Sequence, residues 1–182
     1  MALKATVYKA DLQIADLDRH YYRDHSLTLA RHPSETDERM MVRLLAFAHN
    51  ADEALAFGKG LSEAEEPDLW RRDLTGAVER WIEVGLPDER RILKACGRAT
   101  QVVVYAYGGR GAELWWSQAG PKLARAANLT VFNLPYAATQ ELAAMARRTM
   151  RLQATIQEGE ILLTGEDGSV RVELETLRRA AG

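Results

Sequence analysis

Apolar and polar positions alternate over residues 5–17. Tyr8, Ala10, Leu12 and Ile14 fall on one side, and Lys9, Asp11 and Gln13 on the other. This is the period of a strand with one face covered. A turn at 16–19 and an extended stretch at 21–30 predict that the chain opens with a hairpin. The period then changes. Met41, Leu44, Leu45 and Ala48 make a helical stripe, with Ser34 as the expected N-cap and Asp37 near the positive end of the helix. Gly58 and Gly60 end that segment, and 62–67 is an acidic loop.

Two short strands are predicted on either side of a turn at 74–77. In the second, Val78, Ile82 and Val84 face one way and Glu79, Trp81 and Glu83 the other. Pro87, Asp88 and Glu89 open a helix to about Ala95, with Gly97 as its stop. Residues 101–107 form an apolar run suited to a strand covered on both faces. A glycine loop (Gly108, Gly109, Gly111) leads into a helix over about 113–126, followed by a strand over 129–134 and a helix over about 138–150. A meander of strands at 152–157, 160–164 and 170–174 closes the chain, with Glu158-Gly159 and Asp167-Gly168 as turn pairs. The middle therefore reads as α/β and both ends as β-rich additions to a single domain over 1–182.

Bulk composition narrows the picture. The chain has 182 residues, 47% hydrophobic and 27% charged, which is enough for a core without a metal or disulfide. A net charge of -2 gives no general pull toward nucleic acid, so such a contact needs a local basic patch. The one cysteine, Cys96, forms no disulfide within the chain and fits a reducing compartment. The opening residues lack a signal-peptide stretch and no segment is long and apolar enough to span a bilayer, so the expectation is a cytoplasmic protein with no membrane partner.

Chemistry concentrates in Glu38, Asp68 and Glu83. Glu38 lies in the first turns of a helix, Asp68 follows Pro67 at a strand start, and Glu83 interrupts the apolar frame around Trp81, Ile82 and Val84. Acids are seldom buried unless paired or bound to a cation. Three of them converging would repel without a hard divalent ion, and Mg²⁺ or Mn²⁺ takes such oxygen ligands. Each residue also has an ordinary reading: a first-turn helix acid for Glu38, a turn residue for Asp68, and an ion pair with Arg71, Arg72 or Arg80 for Glu83. Asp73 competes with Asp68 for the ligand role.

Weaker candidates are read as structural. His20, His25, His32 and His49 lack zinc-ligand spacing, Cys96 has no neighbouring histidine, and the 108–111 glycine loop lacks a phosphate-loop pattern. Trp115 and Trp116 read mainly as packing residues, and Arg147, Arg148 and Arg151 as a solvated helix end.

The strings SETDERM, PDLW, DLTG, WIEVG and KACGRA resemble the YaeQ family, whose fold is a variant of the PD-(D/E)XK nuclease fold. The resemblance implies a mixed central sheet flanked by helices, with extra terminal strands. It also implies a nuclease-type site in which Asp68 and Glu83, assisted by Glu38, hold Mg²⁺ or Mn²⁺ for phosphodiester hydrolysis. The acid-x-Lys pattern is broken, because Gly85 stands where the lysine belongs, and Lys94 on the following helix is the natural substitute. The alternative is a catalytically inactive module of that fold that binds nucleic acid or a protein partner.

Overall fold

The computed structural model describes residues 4–181. It is a mixed α/β structure that divides into two compact units. The first comprises the chain up to Ala51 together with Ala137–Glu173, and the second Asp52–Tyr136 together with the chain from Leu174.

In the first unit, the opening hairpin is β1 (Thr6–Asp16) and β2 (Tyr21–Arg31), paired antiparallel. Inward Tyr8, Ala10, Leu12 and Ile14 are buried, as the alternation predicts. Helix α1 (Asp37–Asn50) is capped by Thr36 and not by Ser34. The Thr36 hydroxyl accepts from the Arg39 amide at 3.1 Å, whereas Ser34 turns back onto the His32 ring. Burial on α1 extends past the predicted stripe to Met40, Val42 and Ala46. It includes Arg43, whose guanidinium is neutralised by Glu35 through bonds of 2.6 and 2.8 Å.

The second unit begins with β3 (Leu55–Phe57), β4 (Leu69–Arg72) and β5 (Val78–Val84). Helix α2 (Glu89–Arg98) is capped by Asp88, as expected, but runs through Gly97 without stopping there. Strand β6 (Ala99–Ala106) follows, then α3 (Arg110–Ala119), then a short 3-10 turn at Gly120–Leu123. The predicted single helix over 113–126 breaks at this turn, where Pro121 lacks the amide needed to continue it. Strand β7 (Leu129–Asn133) completes the parallel run β5-β6-β7.

The chain re-enters the first unit within α4 (Tyr136–Ala144). This helix ends well before Met150. Residues 149–157 form β8 (Thr149–Gln157), because Met150, Leu152, Ala154 and Ile156 alternate inward. Strand β8 lies parallel beside β1. The two β-rich ends are therefore one sheet, with order β10-β9-β8-β1-β2, where β9 is Glu160–Thr164 and β10 is Ser169–Glu173. Glu158 and Gly159 both take positive φ, 52° and 75°, which is the turn expected of that pair. A last strand, β11 (Glu175–Arg178), was not anticipated. It pairs antiparallel with β7 and gives the second sheet the order β11-β7-β6-β5-β4-β3. Among the described residues, no helix is long and apolar enough to cross a membrane.

The capping geometry gives a direct test. Thr36→Ala should lower stability by about 1 kcal/mol in urea denaturation. Ser34→Ala, away from the orphan amides of α1, should cost less than about 0.5 kcal/mol.

Candidate functional site

In the second unit, Asp68 and Glu83 come together on neighbouring strands. Asp68 precedes β4, and its backbone amide donates to Ile82 of β5 at 3.1 Å. Its side chain bends back over the same strand, where Oδ2 accepts from the Val84 amide at 2.8 Å. Gly60 leaves room on the other side. At φ +47° it has no side chain, and a Cβ there would sit 2.6 Å from Asp68 Oδ1. Glu83 lies on β5 between β4 and β6, opposite Val104, on the face of Trp81. Both acids are buried, Asp68 to 2% exposure and Glu83 to 4%.

Two donors converge on one oxygen of Glu83. The Trp81 indole N–H donates to Oε1 at 2.8 Å, and Arg91 Nε donates to the same atom at 2.7 Å. The remaining nitrogens of Arg91 hold the carbonyls of Ala64 and Glu66. One guanidinium thus ties β5, α2 and the acidic loop together, a use that suits its planar fork of donors. Despite these donors, the Glu83 carboxyl is held above the ordinary glutamate range. Burial is the main cause and the adjacent Asp68 charge adds to it, while Trp81 and Arg91 pull in the other direction.

Glu38 belongs to the first unit. It is half-buried on α1, and its Oε2 accepts from Gln140 of α4 at 2.7 Å. Lys94 is exposed on α2, and its Nζ lies 3.2 Å from Glu65. The cation on Glu83 is Arg91, one turn earlier, rather than any of Arg71, Arg72 and Arg80. Arg71 pairs with Glu79 and Asp52, Arg80 with the Gln101 side chain, and Arg72 stacks over Trp70 at 4.3 Å. Arg91 is detectable in the sequence only by its phase: it is four residues from Ala95, on the helix face that packs toward β5.

Asp73 is spent in its own turn, where Oδ1 accepts from the Thr75 hydroxyl and amide and from Ala77. Those bonds, the Thr75 hydroxyl first, hold its carboxyl below the ordinary range. Cys96 is half-buried and burial raises its thiol. Trp115 and Trp116 pack against the core formed by Ile92, Val102, Leu123 and Leu129, and the Trp115 indole donates to Pro87.

The family model for YaeQ protein matches residues 1–174. The chain belongs to the YaeQ family. It is 52% identical to the YaeQ protein of Salmonella typhi and 51% identical to that of Escherichia coli K12, over 96% of each pair of chains. The crystal structure of YaeQ from Xanthomonas axonopodis pv. citri superposes with a TM-score of 0.93 at 52% identity, covering 98% of this chain and 99% of that one. YaeQ from Pseudomonas syringae gives the same TM-score at 38% identity, over 98% of both chains.

Within this YaeQ-family chain, the donor set can be compared with what a divalent ion needs. Mg²⁺ requires near-octahedral oxygen ligation. Glu83 Oε1 already accepts from Trp81 and Arg91, and Asp68 Oδ2 accepts from the Val84 amide, so a metal using Glu83 Oε1 would compete with Arg91. Among the described residues, no group of three or more His, Cys, Asp or Glu side chains is arranged to hold a metal ion. As arranged, Glu83 accepts a guanidinium.

The raised Glu83 carboxyl fixes the sign of a pH effect. The native state keeps this proton to higher pH than the unfolded chain. The stability tied to the group is therefore fully present below about pH 4.5 and declines as pH rises through the higher folded-state value. The stability of the wild type minus that of Glu83→Gln should fall with pH over that window in denaturant titrations. A difference that grows with pH would mean that Arg91 outweighs burial. Arg91→Ala, which strands Glu83 without its cation, should cost about 2 kcal/mol at neutral pH.

Proposed function

We propose that this protein uses a nuclease-type framework, related to PD-(D/E)XK enzymes, to bind nucleic acid without cutting it. The observation that carries the reading is the guanidinium of Arg91 seated on Glu83, whose carboxylate a divalent cation would have to share. Gly85 supports it. Its φ of +106° is a backbone conformation that side chains rarely adopt, so the absent lysine cannot simply be restored at that position. Lys94, the candidate substitute, lies exposed on α2 beside Glu65. Without a cation to orient water and offset phosphate charge, hydrolysis loses its largest source of transition-state stabilisation. The nucleic-acid assignment rests on α2, which presents Arg90, Arg91, Lys94 and Arg98 along one side of an otherwise mildly acidic chain.

A second reading, metal-dependent phosphodiester hydrolysis, is favoured by one observation. Asp68 and Glu83 stay buried side by side at a cost in repulsion that a divalent ion would relieve. In that reading, Asp68 and Glu83 would hold Mg²⁺ or Mn²⁺ in competition with Arg91, and the ion would supply an activated water.

Purified protein should bind oligonucleotides in a salt-dependent manner. It should release no cleavage product from single- or double-stranded DNA or RNA with Mg²⁺ or Mn²⁺, and Lys94→Ala should leave that result unchanged. Divalent-dependent nicking that disappears in both Asp68→Asn and Lys94→Ala, with melting curves unaltered, would establish the hydrolase instead. Failure to bind any oligonucleotide would point to a protein partner.

A further inference from the structure

Beside the acid pair, α2 and the acidic loop enclose an open cavity of about 280 Å³, lined by Glu65, Trp81, Arg90, Arg91, Lys94 and Arg98. Positions 90, 91, 94 and 98 recur on one side of a helix, so the cations share this wall. Arg91 is used by Glu83. Lys94 and Arg98 share a single carboxylate, Glu65, whose oxygens lie 3.2 and 3.5 Å from Lys94 Nζ and 2.8 Å from Arg98, while Arg90 lines the same cavity. A carboxylate gripped by a lysine and an arginine reproduces the contacts that a phosphodiester makes through its two non-bridging oxygens. These ion pairs are exposed, with Lys94 at 57%, Arg98 at 43% and Glu65 at 58%. Pairs of that kind contribute little to stability and exchange readily for another anion.

Glu65 is nevertheless not placed by chance. Its neighbours Ala64 and Glu66 are held through their carbonyls by Arg91, the residue that also satisfies Glu83. The buried acid pair therefore fixes the loop that carries Glu65.

We propose that this cavity is a docking site for one backbone phosphate of a nucleic acid, and that Glu65 is its built-in competitor. The carboxylate fills the site in the free protein and must swing out when the strand binds, so binding is weaker than the cation cluster alone would give. This deepens the nucleic-acid reading and rests on it.

The test is fluorescence anisotropy with a labelled single-stranded oligonucleotide across a salt series, together with ³¹P titration of inorganic phosphate. The proteins compared are the wild type, Glu65→Gln, and Glu65→Gln combined with Lys94→Gln and Arg98→Gln. All the substituted side chains are exposed, and thermal melting checks that each variant folds. Removing one opposing charge should tighten oligonucleotide binding by about fivefold at low salt. It should also steepen the log–log salt dependence by about 0.7 for the phosphate gained. Both gains should vanish in the triple variant. If the wild type and Glu65→Gln bind the oligonucleotide equally, the competitor role of Glu65 is overturned while nucleic-acid binding stands. If no variant binds the oligonucleotide but Glu65→Gln gains phosphate affinity that the triple variant lacks, the anion site stands and the nucleic-acid reading falls. If no variant binds either ligand, both fall.

Discussion

Burying Asp68 beside Glu83 is the constraint around which the second unit is arranged. A desolvated carboxylate costs several kcal/mol unless donors replace its water, and two together add repulsion. Each donor that offsets this cost fixes another element. The Val84 amide meets Asp68 only while β4 and β5 keep their register, with Leu69 opposite Ile82. The Trp81 indole reaches Glu83 because residues two apart on a strand share a face. Arg91 reaches it because α2 starts at its Asp88 cap and packs Ile92 and Ala95 onto the core beneath. Gly60 is part of the same arrangement, since Asp68 Oδ1 occupies the space its side chain would need.

Most of the elements were legible because period and burial coincide in them. The hairpin, α1, the parallel strands and the Glu158-Gly159 turn all carry a hydrophobic repeat or a turn pair that allows one reading. The failures have separate causes. Residues 138–150 are rich in alanine and arginine, and intrinsic helix preference hid the two-residue alternation that begins at Met150. Strand β11 is four residues long and only partly buried, so its local signal is weak and its pairing with β7 is a long-range fact. Ser34 and Thr36 are equally good caps by composition. The choice between them follows from where His32 draws the Ser34 side chain.

The candidate site shows the same division. That Glu83 is an anomaly was evident from its apolar frame, and Asp68 from its place after Pro67. Which cation answers Glu83 was not, because Arg80 lies closer in sequence and Arg71 and Arg72 sit on the neighbouring strand. Strand geometry turns those three toward Glu79, Gln101 and Trp70, while the helix brings Arg91 across from a residue eight positions away. Sequence distance is a poor guide to ion pairing wherever a helix folds back over the strand before it.

This arrangement also bears on how a site of this type can change its work without changing its fold. Two buried acids call for a cation or a shared proton to offset their repulsion, and the identity of the cation is open. On the proposed nuclease-type reading, the strand position for a lysine is taken by Gly85 at φ +106°, and the backbone itself no longer suits a side chain there. The positive charge then has to come from elsewhere, and a helix lying across the strand is the nearest source. Arginine meets the requirement more fully than lysine, because one guanidinium satisfies Glu83 and still has nitrogens left for two loop carbonyls. That gain in connection has a chemical cost. A permanently charged group tied at several points is poorly suited to orienting water, and it competes with any metal for the same oxygen. On the proposed reading, the features that make the pair stable are thus the ones that would move it away from hydrolysis. The cations left over on α2 are then available for holding an anion rather than for cleaving one.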